Sequence, residues 1–230
     1  MKSLNQLPGD SYIAETKGHT IHSWARYYDM LVGIISLGRE RKFRQAALEL
    51  VDIEPGMNIL DVGCGTGSLT IAAKQKQGND GTVMGIDPSS NMVNLAQEKA
   101  AKAQLEVAFQ VGVIENIDFP ENHFDLVLSS LMMHHLPDEL KKDGLLEVYR
   151  VLKPNGALLI IELDPSAFSL VSLIHGHSSQ LSAELESTRR TLESTGFGPV
   201  EFGNLNFRGF SYLKSKKQIS DSDNELRNGS

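Results

Sequence analysis

The stretch of sequence that decides the fold is Ile59-Leu60-Asp61-Val62-Gly63-Cys64-Gly65-Thr66-Gly67. It begins as a short apolar run, which is typical of a strand buried on both faces of a parallel sheet. Three glycines then alternate with other residues, and glycine tolerates the positive φ angles of a tight turn. A helical pattern follows from Ser68, so the stretch predicts a strand, a glycine-rich turn and the first turn of a helix.

The same alternation of short apolar runs and helical segments continues along the chain. Each apolar run is too short to be a helix. Strands that alternate with helices form right-handed βαβ crossovers, which build a parallel sheet covered on both faces. The expected fold class is therefore α/β, with a doubly wound, Rossmann-like sheet. The predicted strands are Ile59–Val62, Thr82–Ile86, Val107–Val111, Phe124–Leu128 and Ala157–Ile161, and the predicted helices are Ser68–Lys76, Ser89–Ala103 and Asp138–Leu152.

The regions on either side of this unit show other patterns. Two amphipathic helices are predicted before it, at Trp24–Ile35 and Phe43–Val51. After it we expect a helix near Ser179–Ser194 and two strands, Val200–Leu205 and Phe207–Lys214, which a short connection forces to pair antiparallel. The expected organisation is a flexible arm over residues 1–20, a helical cap over 21–53, the main domain over 54–214 and a disordered tail over 215–230.

Composition excludes several classes of protein. The chain has 230 residues, and its 22 Lys and Arg against 29 Asp and Glu give a formal net charge of −7. Nucleic-acid binding requires a clustered basic surface, and the one basic cluster, Arg39, Arg41, Lys42 and Arg44, is explained by a solvated helix face. No apolar stretch approaches the ~20 residues that a membrane-spanning helix needs. The single cysteine, Cys64, excludes an intramolecular disulfide and any Cys-rich zinc or iron–sulfur site, and it indicates a cytoplasmic protein. We expect no metal.

Charge and spacing select the ligand of the glycine turn. A dinucleotide fingerprint would place a third glycine where this chain has Ser68. Asp61, at the end of the first strand, would repel a pyrophosphate but suits the sulfonium and ammonium groups of S-adenosylmethionine. Asp87 ends the second strand about 20 residues after the last glycine, the distance at which an acid accepts hydrogen bonds from ribose hydroxyls. These features favour S-adenosylmethionine over a nicotinamide cofactor.

Several motifs carry a resemblance to a known family. They are Tyr28-Asp29, Leu60–Gly67, Gly85-Ile86-Asp87, Phe119–Asp125 and Val151–Gly156. Together they resemble the class I S-adenosylmethionine-dependent methyltransferases, in particular the group that includes the ubiquinone and menaquinone biosynthesis methyltransferases. The resemblance implies a seven-stranded sheet whose last two strands form an antiparallel hairpin. It also implies that the helices before the main domain help to cover the cofactor and the methyl acceptor.

The resemblance assigns cofactor-binding roles by position. Asp61 and the glycines correspond to the loop that holds the methionine moiety, Asp87 to the acid that binds the ribose, and Met92 to a residue lying against the adenine. Val113 stands where the family usually has an aspartate for the adenine amino group, so that contact must come from another group. The full set expected at the cofactor is Asp61, Gly63, Cys64, Gly65, Gly67, Asp87, Pro88, Met92, Gly112, Val113, Ile114 and Ser129.

Four residues are candidates for catalysis. His134 and His135 follow the fourth strand, where an imidazole is able to take a proton from the acceptor, and at most one of the two should face the methyl donor. Tyr28 either belongs to an apolar helix face or presents its hydroxyl to the site. Glu162 ends the fifth strand, where it either binds the acceptor or is solvated.

The expected reaction is in-line attack of an acceptor atom on the sulfonium methyl group, with S-adenosylhomocysteine as the product. The apolar Leu170–Ile174 and the leading helix are consistent with a small, fairly hydrophobic acceptor. Quinone-modifying relatives carry an Arg-Asn-type segment where this chain has Leu131–His135, which weighs against a quinone. The alternatives are a non-catalytic module that binds the same cofactor, an aminopropyl transferase and an NAD-dependent oxidoreductase. We expect a monomer or homodimer, with no nucleic acid and no membrane insertion.

Overall fold

Five α-helices and seven strands form the part of the chain that the structure describes from residue 40 onward. The computed structural model describes residues 40–164, 182–207 and 209–218, together with two short antiparallel strands, Asn5–Gln6 and Tyr12–Ile13. The helices are α1 (Glu40–Leu48), α2 (Ser68–Gln77), α3 (Ser90–Lys102), α4 (Asp138–Val151) and α5 (Ala183–Ser194). The strands are β1 (Asn58–Val62), β2 (Thr82–Asp87), β3 (Ala108–Val111), β4 (Phe124–Ser130), β5 (Leu152–Leu163), β6 (Glu201–Asn204) and β7 (Phe210–Lys216).

The seven strands form one mixed sheet in the order β3-β2-β1-β4-β5-β7-β6. Strands β1 to β5 are parallel, whereas β7 runs antiparallel to both β5 and β6. The expected fold class and the C-terminal hairpin are therefore confirmed. The chain passes from β1 to β2 on one side, while β4 lies on the other side of β1. This reversal of strand order opens a crevice at the carboxyl ends of β1 and β4, the usual place for a ligand in such a sheet.

Both faces of the sheet are buried, as the apolar runs predicted. Leu60 and Val127 pack on the face that α4 and α5 cover. Ile59 and Leu126 pack on the opposite face, against α1 and α2. Because successive side chains of a strand point to opposite faces, the residues that end β1 and β4 divide between the two layers. This division decides which polar side chains reach the crevice.

The observed boundaries differ from the predicted ones mainly at the C-terminal side. Strand β5 begins at Leu152 instead of Ala157, and a register shift in its pairing with β4 accommodates the Pro and Gly of the segment between. Strand β7 ends at Lys216, two residues beyond its predicted end. The predicted Trp24–Ile35 helix, Leu170–Ile174, and residues 219–230 lie outside the described residues. Within the described ranges, no helix has the length and apolar character needed to cross a bilayer.

Candidate active site

The glycine loop between β1 and α2 is fixed by main-chain hydrogen bonds to the end of β2. The amides of Gly63 and Cys64 both donate to the carbonyl of Ile86, at 2.8 and 3.0 Å. Gly63, Gly65 and Gly67 have φ angles of +69°, +53° and +74°, and Gly67 caps the start of α2 in the left-handed conformation. Residues with a Cβ atom rarely adopt such φ angles, so the shape of the turn explains why these three positions are glycines.

Two of these glycines are also required because other side chains occupy the space of a Cβ atom. A Cβ at Gly63 would lie 2.3 Å from Cγ of Met132, and one at Gly67 would lie 2.6 Å from Cζ of Phe109. Met132 belongs to the segment after β4, and Phe109 belongs to β3. The loop is therefore packed directly against the strands that flank it.

Asp61 is the buried acid of this loop. It is 1% exposed, and one of its carboxylate oxygens accepts a hydrogen bond from the Thr70 hydroxyl at 2.6 Å. Burial raises the pKa of Asp61 to about 7, although the Thr70 bond lowers it. A cation placed beside this carboxyl would favour its charged form. Asp61 is therefore able to bind an ammonium or sulfonium group and to release a proton on doing so.

Asp87 connects the loop to the start of α3. It is 8% exposed, one carboxylate oxygen accepts from the amide of Gly65 at 3.0 Å, and the other accepts from the amide of Ser89 at 2.9 Å. Burial raises the pKa of Asp87 to about 6, against the opposing effect of the two amides. Each oxygen keeps a second lone pair, so the carboxylate is able to accept from ribose hydroxyls as well. Asp87 thus ties the loop to α3 and still offers acceptors at the carboxyl edge.

A cavity of about 60 Å³ lies between the glycine loop and α1. Asp61, Ser130 and Leu131 line it from the sheet side, and Arg44 lines it from α1. The Arg44 side chain is 18% exposed and forms an ion pair with Glu40, which also lines the cavity. The prediction of a solvated face is therefore wrong for Arg44, although its neighbours Arg41 and Lys42 are exposed.

A second group of polar side chains is joined to the segment after β4. Glu162 is 4% exposed, and one carboxylate oxygen accepts from the amides of Met132 and Met133 at 3.0 and 2.7 Å. Its other oxygen is 2.7 Å from Nδ1 of His134. Of the two readings of Glu162, the solvated strand end is wrong, because the side chain is buried and holds the segment after β4. The ring of His135 lies 3.9 Å from that of His134.

The remaining predicted residues differ in burial and in hydrogen bonding. Gly112 is bonded through its amide to the Asp87 carbonyl at 3.1 Å, beside the partly buried Val113. Met92 and Ile114 are buried. Ser129 is buried on the face away from Asp61, and within the described structure its hydroxyl has no hydrogen-bond partner, so Ser130 lines the cavity in its place. Pro88 follows Asp87 in the chain, Cys64 lines the cavity, and Tyr28 lies outside the described residues.

Sequence reasoning did not find Arg44, Ser130 or Thr70. Arg44 belongs to a run of basic residues whose members cannot be told apart before the helix is packed. Ser130 differs from Ser129 only by the face of the strand on which it lies. The described residues contain no cluster of three His, Cys, Asp or Glu side chains able to hold a metal ion.

Comparison with known proteins shows the family of the chain. A family model described as a methyltransferase domain matches residues 53–219. The chain belongs to this methyltransferase family. The demethylmenaquinone methyltransferase of Lactiplantibacillus plantarum is 31% identical over 207 residues, which are 80% of this chain and 86% of that protein. The corresponding Geobacillus enzyme is 34% identical over 145 residues, which are 63% of this chain and 61% of that protein.

The fold of the methyltransferase is also found among solved structures. A SAM-dependent methyltransferase from Aquifex aeolicus superposes with a TM-score of 0.59 at 23% identity, covering 76% of this chain and 89% of that one. The resemblance drawn from the sequence motifs is thus confirmed. The protein is an S-adenosylmethionine-dependent methyltransferase with the class I fold.

Proposed function

We propose that the methyltransferase binds S-adenosylmethionine across the carboxyl ends of β1, β2 and β4 and methylates a small, fairly hydrophobic acceptor. The observation that carries this proposal is Asp61, a carboxyl buried beside the glycine loop without a cationic partner among the described residues. A buried acid in such surroundings is costly unless a cation accompanies it. The ammonium and sulfonium groups of the cofactor supply that charge.

Arg44 and Asp87 complete the contacts to the two ends of the cofactor. Arg44 lines the same cavity as Asp61 and would bind the carboxylate of the methionine moiety, for which a guanidinium is well suited. Asp87 would accept hydrogen bonds from the ribose hydroxyls. Gly63, Cys64, Gly65 and Gly67 would bring main chain close to the cofactor.

The adenine would lie toward Met92 and the segment Gly112–Ile114. Val113 offers no acceptor side chain to the adenine amino group. Glu115 follows two residues later, and one of its carboxylate oxygens is buried without a partner in the part of the chain that the structure describes. We propose that Glu115 accepts from the adenine amino group, since an unpaired buried acceptor gains most from a donor.

The cofactor brings a methyl group that is already activated by its positive sulfur. The protein therefore has to align the acceptor atom, the methyl carbon and the sulfur, and to exclude water from them. Leu131, which lines the cavity, has a φ of +56°, a strained conformation for a residue with a branched side chain. The segment that follows it contacts Glu162.

The relatives suggest the acceptor to test first. Two of them are demethylmenaquinone methyltransferases by name, and a naphthoquinol ring is small and hydrophobic. The soluble ring compound 1,4-dihydroxynaphthalene is therefore a suitable first probe. The low cysteine content supports a cytoplasmic location, and we propose a monomer or homodimer.

Calorimetric titration with S-adenosylmethionine, S-adenosylhomocysteine and NADH tests the proposal. We expect micromolar binding of both sulfur ligands, at least tenfold weaker binding in Asp87→Ala, and no binding of NADH. Tight NADH binding without either sulfur ligand would overturn the proposed site. Binding of S-adenosylhomocysteine without methyl transfer to any acceptor would instead support a non-catalytic binding module.

A further inference from the structure

Glu162 and His134 form a hydrogen-bonded pair in which the acid is buried and the base is partly exposed. The proposed contacts to the cofactor use neither residue. Glu162 uses one oxygen for two main-chain amides and the other for the His134 ring, so its acceptors point in fixed directions. The His134 side chain is 37% exposed, whereas the Glu162 side chain is 6% exposed. The pair therefore presents an oriented, partly exposed imidazole in the segment after β4, supported from inside the protein.

The carboxylate determines which ring nitrogen is available. An ionised carboxylate only accepts hydrogen bonds, so Nδ1 of a neutral His134 must carry the hydrogen. Nε2 then keeps its lone pair and points away from Glu162. A neutral His134 is thus a proton acceptor at Nε2.

The pair is also attached to the cofactor loop. The amide of Met132 donates to Glu162, while the side chain of Met132 fills the space above Gly63. His134 is two residues further along the same segment. Glu162 therefore sets the position of His134 relative to the loop that would hold the methyl donor.

We propose that His134, held by Glu162, takes up the proton that the acceptor loses, and that the acceptor is an O–H acid such as a phenol or an enol. This inference rests on the proposed function, because it assigns chemistry to the same site. His134 is the catalytic residue of the pair, and Glu162 is a positioning residue that acts through it.

In a phenolic acceptor, the O–H bond breaks and the proton goes to Nε2 of His134. The electron pair of the oxygen, or of the ring carbon beside it, forms the bond to the methyl carbon while the carbon–sulfur bond breaks. That bonding pair stays on sulfur, which leaves as neutral S-adenosylhomocysteine. If the ring carbon takes the methyl group, its hydrogen leaves as the O–H is restored.

The surrounding charges are consistent with a base that works near neutral pH. The hydrogen bond to Glu162 raises the pKa of His134 above its usual 6.5, burial opposes this, and Glu162 and Glu184 add to the rise through their charges. The charge of Lys141 in α4 acts against this rise in pKa, and Lys141 itself contacts Glu184 of α5. An amine acceptor in its neutral form needs no base before it attacks, so an oriented imidazole is of most use to an O–H acid.

Nitrogen NMR of the S-adenosylhomocysteine complex tests the pair without any acceptor. With ¹⁵N-histidine labelling and assignment through His134→Gln, we expect the neutral His134 to carry its hydrogen on Nδ1 and to titrate above pH 6.5. Glu162→Gln removes the charge that stabilises the imidazolium, so it should lower this inflection. A hydrogen on Nε2, or an inflection that Glu162→Gln leaves in place, would contradict the proposal. Failure to bind S-adenosylhomocysteine would instead count against the cofactor site.

Kinetics with 1,4-dihydroxynaphthalene test the acceptor class. At saturating S-adenosylmethionine, where Asp61 no longer titrates, the rate should rise with pH through the His134 inflection and fall roughly 10²- to 10⁴-fold in His134→Gln. The rate of the His135→Gln variant should rise with pH through the same inflection. The matched probe 1,4-dimethoxynaphthalene has no ionisable O–H, so it should neither react nor shift the Nε2 resonance. If 1,4-dihydroxynaphthalene also fails to react and to shift the Nε2 resonance, in a protein that binds the cofactor, the assignment of an O–H acid is wrong.

Discussion

The two halves of the carboxyl edge are built in different ways. At the ends of β1 and β2, the glycine loop lies beside two buried carboxyls. Hydrogen bonds from the main-chain amides of Gly65 and Ser89 hold the carboxylate of Asp87 in this half. At the end of β4 and β5, the key contact joins His134 to Glu162, 28 residues apart. The bond from Gly65 to Asp87 spans 22 residues, so both halves need paired strands, but only the first half carries a recognisable sequence motif. A motif therefore identifies a cofactor more readily than it identifies a catalytic group.

The largest effect is expected where the two halves touch. Gly63→Ala would combine a positive φ with a Cβ inside Met132, so we expect a loss of about 3 kcal/mol in the free energy of unfolding. Gly56→Ala is the matched control, because Gly56 has a φ of +86° and nothing within 4 Å of a Cβ, and should cost about 1–2 kcal/mol. Urea unfolding measures both.

A second-site change sharpens this test. Met132→Ala removes Cγ, which would lie 2.3 Å from the new Cβ, but keeps Cβ at 2.9 Å. The Gly63→Ala/Met132→Ala pair should therefore recover part of the stability relative to the sum of the two single changes. Strict additivity of the two changes would mean that the halves are not packed against each other at this point.

The next effect concerns the charge of Asp61. Because the pKa of Asp61 is about 7 in the free protein, a positively charged ligand must displace its proton below that pH. Affinity for S-adenosylmethionine should therefore rise from pH 5 to about 7.5 and then level off. Asp61→Asn should weaken binding about 10- to 100-fold at pH 8, in keeping with ~1.5–3 kcal/mol for a hydrogen bond to a charged group. The variant should also show a smaller change of affinity with pH, which calorimetry at several pH values measures. If the affinity of the variant changes with pH as much as that of the parent, Asp61 is not the group whose proton is released on binding.

A smaller effect is expected at the opposite wall of the cavity. Arg44→Met should weaken S-adenosylmethionine binding roughly tenfold, about 1.4 kcal/mol. Lys42→Met changes an exposed cation of the same helix and should leave the affinity as it is. The ligand 5′-methylthioadenosine lacks the carboxylate, so its affinity should not respond to Arg44→Met. An equal loss for both ligands would indicate that Arg44 supports the helix and does not bind the carboxylate.

The smallest effect is on stability without ligand. The pKa of Asp61 is higher in the folded protein than in an unfolded chain, so its contribution is most favourable at low pH and is lost as the pH rises toward 7. Asp61→Asn keeps an acceptor for Thr70 and has no charge to bury. Its Tm at pH 8 should exceed that of the parent by a few degrees, about 1 kcal/mol for a chain of this size. The difference should vanish at pH 4, where differential scanning calorimetry provides the check.

The sequence by itself determined the fold class and the cofactor end of the site. Apolar runs of strand length alternate with helical segments, and burial on both faces leaves a parallel sheet as the arrangement that covers them. The positive φ angles of the glycine loop require glycine whatever the loop packs against, and the acids at the ends of β1 and β2 are recognised from their spacing along the chain. Such features can be read locally because the main chain imposes them.

Only the tertiary structure decided which polar side chains share the crevice. Arg44 is distinguished from Arg41 by the face of α1 that packs on the glycine loop, and Ser130 from Ser129 by the alternation of β4. Glu162 is a buried acid because β5 pairs with β4 and brings it to the amides of Met132 and Met133. These choices depend on contacts between distant parts of the chain, whose geometry exists only once the layers have packed.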